Sequence, residues 1–248
     1  MNTALFCFSA TARLAFTVLS LTFFSLSAQA VEKEFRSLFN GNDLAGWKGD
    51  PSFWSVRNGA ITGVTTAEHP TKGNTFLVWQ GGDLKNFELR VEFKLVSEND
   101  KKFANSGIQY RSRLVDAANW VVAGYQADMD GDGKYVGMLY EEKGRGILAL
   151  PGQQVRISSA DDKPKIEIAG ATATATEILA ANRPRAWNEY IIIAEGNHLR
   201  HFINGRLTVD VTDLDKAKAA IAGVLALQLH AGPPMLVQFK NIRIKTLP

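Results

Sequence analysis

Phe87-Glu88-Leu89-Arg90-Val91-Glu92-Phe93-Lys94-Leu95 decides the fold class. Apolar and charged residues alternate strictly, so the segment is a strand with one dry face and one wet face. Leu225, Leu227 and Leu229 alternate in the same way with Ala226, Gln228 and His230. Val237 and Phe239 share one phase and Ile242 and Ile244 another, which predicts a β-bulge near Lys240-Asn241. The unbroken Ile191-Ile192-Ile193 run predicts a central strand buried on both faces. Asn58-Gly59 and Asn204-Gly205 are two-residue type I′ hairpin signals, because both central residues need positive φ. Gly196-Asn197 is a weaker third. Helical periodicity is confined to Asp213–Ala222 and Glu177–Ala181, a turn or two each.

Short strands joined by regular turns, with no βαβ alternation, predict an all-β fold. The expectation is an antiparallel two-sheet jelly-roll sandwich, occupying 31–248 as one domain. The 248 residues include 14 Phe, 5 Trp and 5 Tyr, enough aromatic bulk for a sizeable core. With 46% hydrophobic and 21% charged residues, disorder, collagen and coiled coil are excluded. The net charge of +3 is dispersed, so no nucleic-acid footprint is present.

Residues 1–30 have the pattern of a secretory signal. Arg13 precedes the apolar stretch Leu14–Leu26, and Ala28-Gln29-Ala30 is a small-x-small cleavage site before Val31. The apolar run is short beside the ~20 residues a membrane span needs. Cys7, the single cysteine, lies inside this segment. The mature chain is then expected to have no thiol, which excludes a disulfide scaffold, a cysteine-rich zinc site and cysteine catalysis. Export, to a bacterial periplasm, with no membrane span after cleavage, is the expected localisation.

Three segments place polar residues on strand faces. Gly107, Gln109 and Arg111 share one face, as do Gly124, Gln126 and Asp128, and again Gln228 and His230. Either these are separate solvated faces, or they line one polar groove. Asp128-Met129-Asp130-Gly131-Asp132-Gly133 has the opening of a calcium loop, but position twelve is Leu139. It reads equally as an acidic hairpin tip. Glu141-Glu142-Lys143-Gly144-Arg145 offers a carboxylate and guanidinium, as a surface ion pair or a sugar-orienting pair. Of His69, His198, His201 and His230, none belongs to a local metal motif. Nucleophile elbow and phosphate-loop patterns are also absent. His230 stands out at a strand end beside Gly232-Pro233-Pro234, a suitable place for proton transfer.

Taken in order, these segments resemble the 3-keto-disaccharide hydrolase domain family. The likeness opens on Phe39-Asn40-Gly41, Leu44, Gly46-Trp47, Trp54-Ser55-Val56 and Asn58-Gly59-Ala60-Ile61. It continues through Asn105-Ser106-Gly107-Ile108, Arg111, Tyr125-Gln126, Asp128, Gly137 and Leu139-Tyr140. It ends on Trp187-Asn188-Glu189-Tyr190, His201, Asn204-Gly205, Leu227-Gln228-Leu229-His230 and Phe239-Lys240-Asn241-Ile242, covering about Ser37 to Lys245. The resemblance implies a concanavalin-A-like jelly roll acting on glycosides already oxidised to a ketone at C3. Such a substrate needs a base for the C2 proton, an acid for the leaving oxygen and an electrophile at the ketone.

Carried onto this chain, Asp128 or Glu142 is the expected base and His230 the acid or second base. Asn105, Arg111, Gln126, Tyr140, Arg145 and Gln228 are the expected sugar contacts. The chemistry requires either no cofactor or a divalent metal, with Asp128, Glu142 and His230 as its ligands. The expected partner is an oxidised saccharide. Two rival readings share the scaffold. One is a non-catalytic carbohydrate-binding module, with Trp79 and Trp120 as candidate aromatic platforms. The other is a retaining glucanase, which Asp128 and Asp130 superficially suit, although the E-x-D-x-x-E pattern is missing.

Overall fold

The computed structural model describes Met1 and residues 34–160 and 163–248; apart from Met1, the expected export signal lies outside them. The chain divides into two compact units, Met1–Arg36 and Ser37–Pro248, and the second carries the sandwich. Its strands follow in order: β1 (Arg36–Ser37), β2 (Trp47–Lys48), β3 (Trp54–Arg57), β4 (Ala60–Thr65), β5 (Thr75–Trp79) and β6 (Phe87–Ser97). Next come β7 (Asn105–Asp116), β8 (Val121–Asp130), β9 (Leu139–Glu142), β10 (Gly146–Ala149), β11 (Gln153–Ala160) and β12 (Lys163–Ala171). After the short helix α1 (Ala175–Ala181) come β13 (Asn188–Glu195), β14 (His198–Ile203), β15 (Arg206–Asp213), β16 (Val224–Leu229) and β17 (Met235–Thr246).

The larger sheet runs β12-β11-β15-β14-β13-β6-β17-β4-β3, and the smaller runs β10-β9-β8-β7-β16-β5-β2. Pairing along both runs is antiparallel except between β11 and β15, which run parallel. The alternating segment forms β6, between β13 and β17, with Phe87, Leu89, Val91, Phe93 and Leu95 buried. The bulge falls where the phase change predicts it. The β17–β6 register slips between Lys240 and Arg243, and Asn241 adopts φ 49°. Ile242 and Ile244 are thereby returned to the core. Asn58-Gly59 and Asn204-Gly205 both take positive φ at both residues.

Three local expectations change. β13 is central, but only Ile192 of its isoleucines is fully buried, because nothing in the described fold covers the outer face at Ile191 and Ile193. Asp213–Ala222 forms turns and no helix. The helix begins at Ala175, two residues before the expected start, because Thr174 and Glu177 cap it reciprocally.

Side chains of both sheets merge into one apolar core. Polar pins cross it. His201 of β14 lies between the Tyr110 hydroxyl of β7 (2.9 Å) and the Tyr190 hydroxyl of β13 (3.2 Å). Tyr125 of β8 donates to Asp213 of β15 at 2.6 Å. The other face of the smaller sheet holds a second cluster, Phe76, Val78, Val122 and Ala226, with Trp120 and Val224 packed against it.

Candidate functional site

That same outer face of the smaller sheet gathers the polar residues that strand parity singled out. β7 contributes Asn105, Gly107 and Gln109, β8 contributes Gln126 and Asp128, β9 contributes Tyr140 and Glu142, and β16 contributes Gln228. Register sets Gly107 opposite Asp128, Gln109 opposite Gln126, and Gln126 opposite Tyr140. The side chains join into one network. Gln126 meets Gln109 at 2.7 Å, receives Gln228 Nε2 at 2.8 Å, and donates to Asp128 Oδ1 at 2.7 Å. Asn105 Nδ2 donates to Asp128 Oδ2 at 3.3 Å. Gly107 makes the arrangement possible, since a Cβ there would approach Gln126 Cγ to 2.5 Å.

Asp128 is 2% exposed. Burial pushes its carboxyl well above the usual carboxylate range; the Gln126 and Asn105 bonds pull the other way without prevailing, and Asp130 and Glu142 add repulsion. Burial, with the charges of Glu142 and Asp128, also raises Tyr140, so its hydroxyl remains a neutral donor. Gln228 Oε1 is buried without a hydrogen-bond partner among the described residues. An orphaned buried acceptor costs about 1–3 kcal/mol.

Glu142 sits where this floor meets a cavity of about 750 Å³. Its hydrogen bonds, from Asn74 at 3.3 Å and Gln228 at 3.5 Å, both fall on Oε2. Asn74 also accepts from the Ala231 amide at 3.0 Å, which ties Glu142 to the His230 segment. His230 is half-buried, edge-on to Phe103 at 5.6 Å, with Nδ1 against the Ala231 carbonyl. A carbonyl only accepts, so Nδ1 is the donor in this contact. Asn74 is a residue that sequence reasoning missed. It lies in the loop before β5, and no local pattern announces its two distant partners.

Two expected sugar contacts are elsewhere. Arg111 leaves the floor because the β7–β8 register slips between Tyr110 and Arg113, and Arg111 itself takes φ 47°. Its guanidinium donates to the carbonyls of Lys85, Gly196 and Ala220 and to Asn86 Oδ1. Arg145 binds Glu141 at 2.8 Å and Asp213 at 2.6 Å, with Asp215 at 3.7 Å. Burial opposes its charge, but the bonds to Glu141 and Asp213 outweigh burial and hold the guanidinium above the ordinary arginine range. These contacts clip β9 to β15.

The calcium-loop pattern does not assemble. Asp128 faces the floor, whereas Asp130 caps the turn through the amides of Asp132 (3.3 Å) and Tyr135 (3.0 Å). The expected metal set also fails a test of its donors. Both oxygens of Asp128 face amide N–H groups, which repel a cation, and among the described residues no three His, Cys, Asp or Glu side chains could hold a metal. His69 stacks on Phe53, His198 pairs with Asp210 at 2.8 Å, and His201 is core. Trp79 is buried and Trp120 packs on the second cluster, so neither is an open platform.

A family model described as a 3-keto-alpha-glucoside-1,2-lyase-like domain matches residues 34–245. No curated protein matches the chain. A protein from Parabacteroides distasonis ATCC 8503, provisionally described as a glycosyl hydrolase, superposes with TM-score 0.57 at 18% identity, over 89% of this chain and 97% of that one. A protein of unknown function with a galectin-like fold from Bacillus subtilis gives 0.53 at 8% identity, over 82% and 90%. A carbohydrate-binding module from Bacillus subtilis gives 0.50 at 13%, over 81% and 96%. At such identities the likeness establishes the jelly-roll fold. Among the described residues no helix is long and apolar enough to cross a membrane.

Proposed function

This chain belongs to the 3-keto-alpha-glucoside-1,2-lyase-like domain family, and from that premise we propose that it cleaves glycosides bearing a ketone at C3 of the sugar. The ketone acidifies the C2 proton. Glu142 takes that proton, and the C–H electron pair moves into the ketone to give an enediolate. Tyr140 O–H and the second N–H of Asn105 are the donors for the developing oxyanion. The enediolate collapses, the C1–O bond breaks, and His230 Nε2 in its protonated form hands a proton to the departing oxygen. Hydration reverses the roles. Water gives its proton to His230 and its hydroxide to C1, while Glu142 returns its proton to C2. Net hydrolysis results and both groups are reset. Export belongs to the same proposal, on the strength of residues 1–30 alone.

The supporting observation is the position of Glu142, between the polar floor and the cavity with its hydrogen bonds confined to Oε2. Asp128, with both oxygens engaged, holds Gln126 and Asn105 in place. The test is incubation of the protein with 3-keto-trehalose and with trehalose. Cleavage of the keto sugar alone is expected, and Glu142→Gln should slow it by about 10²–10⁴-fold, the usual worth of a general base. Cleavage of both sugars, or a fully active Glu142→Gln, overturns the reading. Binding of the keto sugar without turnover would leave a carbohydrate-binding module.

A further inference from the structure

The cavity beside Glu142 carries charge that the elimination does not use. Its wall is built from small residues, Ala123, Gly124, Gly144, Ala217, Ala220 and Ala222, which leaves room for a sugar ring. Gly124 is required there: it takes φ 140°, and a Cβ would approach Ser112 Oγ to 2.5 Å. Arg113 and Lys143 line the same space and are exposed. Among the described residues no carboxylate pairs with either.

Arg111 supplies the second observation. The residue also lines the cavity, it is 2% exposed, and every partner of its guanidinium is an uncharged oxygen. A buried cation without a counter-ion is expensive, and arginine does not shed its proton to escape the cost. Carbonyl dipoles hold the group in position but leave its charge whole. Lys163 and Lys218 line the cavity too. Of the two acids on the wall, Glu141 is paired with Arg145, which it shares with Asp213 and Asp215. Arg113 and Lys143 thus stand on the wall as exposed cations with no carboxylate partner among the described residues.

We propose that this cavity is an anion subsite, selecting an acidic saccharide whose carboxylate or sulfate lies among Arg111, Arg113 and Lys143. The inference rests on the proposed function for the sugar and on the cavity alone for the charge. Calorimetric titration of the full protein with three unoxidised disaccharides tests it: one ending in glucuronic acid, its neutral counterpart with a C6 alcohol, and the 6-sulfate. An acidic sugar should bind about tenfold tighter than the neutral one, and whichever acid wins identifies the anion. The advantage should shrink as salt rises, because ~0.1 M salt screens exposed charges beyond about 10 Å. An Arg113→Gln/Lys143→Gln double variant should lose about tenfold for the acidic sugar and nothing for the neutral one, two exposed contacts being worth that much together. Its melting temperature checks folding, while the salt series on the unaltered protein needs no variant. Equal affinity for acidic and neutral sugars, no measurable binding of either acid, or a preference indifferent to salt overturns the subsite. Failure of 3-keto cleavage with the acidic preference intact sinks the reaction and spares the subsite; the reverse pattern sinks the subsite alone.

Discussion

Asp128 shows the conflict between stability and chemistry at the scale of one residue. Its folded-state carboxyl titrates above its unfolded value because burial disfavours the anion. The group therefore contributes most below the unfolded value, near ~4, and its contribution is lost as pH rises through the folded value. Asp128→Asn should melt higher than the wild type at pH 7, with the difference vanishing toward pH 4. A gain of 1 kcal/mol would read as about 2–4 °C. Parallel melting curves for the two proteins from pH 4 to 8 would show that Asp128 ionises normally. Strand parity was enough to put Gln126 and Asp128 on one face of their strand, and left open whether Gln228 shares it. It failed at Arg111, because parity counts residues and the slip beside Tyr110 adds to the count. The ion pairs of Arg145 were not legible for another reason: its partner Asp213 is 68 residues away.

Elements here are positioned by backbone irregularities that the sequence marks unequally. The β17 bulge was legible because the apolar phase changes across Lys240-Asn241. Asn241 holds φ 49° and donates to Glu92 at 2.6 Å. Left-handed backbone costs a β-branched residue about 1–2 kcal/mol more than glycine. Asn241→Val should accordingly lower denaturant stability by at least that amount, whereas Asn241→Gly should stay within about 1 kcal/mol. Equal losses in urea unfolding would mean that the Glu92 bond, and not the backbone, secures the bulge. The bulge in β7 lacks such a signature. Tyr110, Arg111 and Ser112 show no phase change, and beside the slip the backbone passes close to Gly223, where a Cβ would sit 2.3 Å from the Ser112 carbonyl oxygen.

Across the whole molecule, the two sheets are registered by buried polar contacts as well as by apolar packing. His201 is pushed down to about 4 by burial, so it stays neutral between the two tyrosines. A folded value below the unfolded ~6.5 gives stability that is complete above 6.5 and lost as pH falls toward 4. The loss approaches about 3 kcal/mol at pH 4, from 1.36 kcal/mol per unit. Asp128 acts in the opposite direction over the same range, so the two are separated by variants. His201→Gln should be less stable than the wild type at pH 7 but should lose less on acidification. A variant as acid-sensitive as the wild type would move the acid lability to other groups.

Sequence alone determined the alternation of wet and dry faces, the hairpin turns, the late bulge and the family, because each is written in neighbouring residues or in their order. It also determined that Gln126, Asp128 and Gln228 could share a surface. Tertiary structure decided that they do, joined by Asn74 and Glu142 at the mouth of a cavity, and that Arg111 and Arg145 lie off the polar floor. It decided too that no calcium or metal set forms among the described residues. The division is physical: side-chain direction along a strand is a local property with a period of two, whereas contact between strands depends on register, bulges and long-range closure.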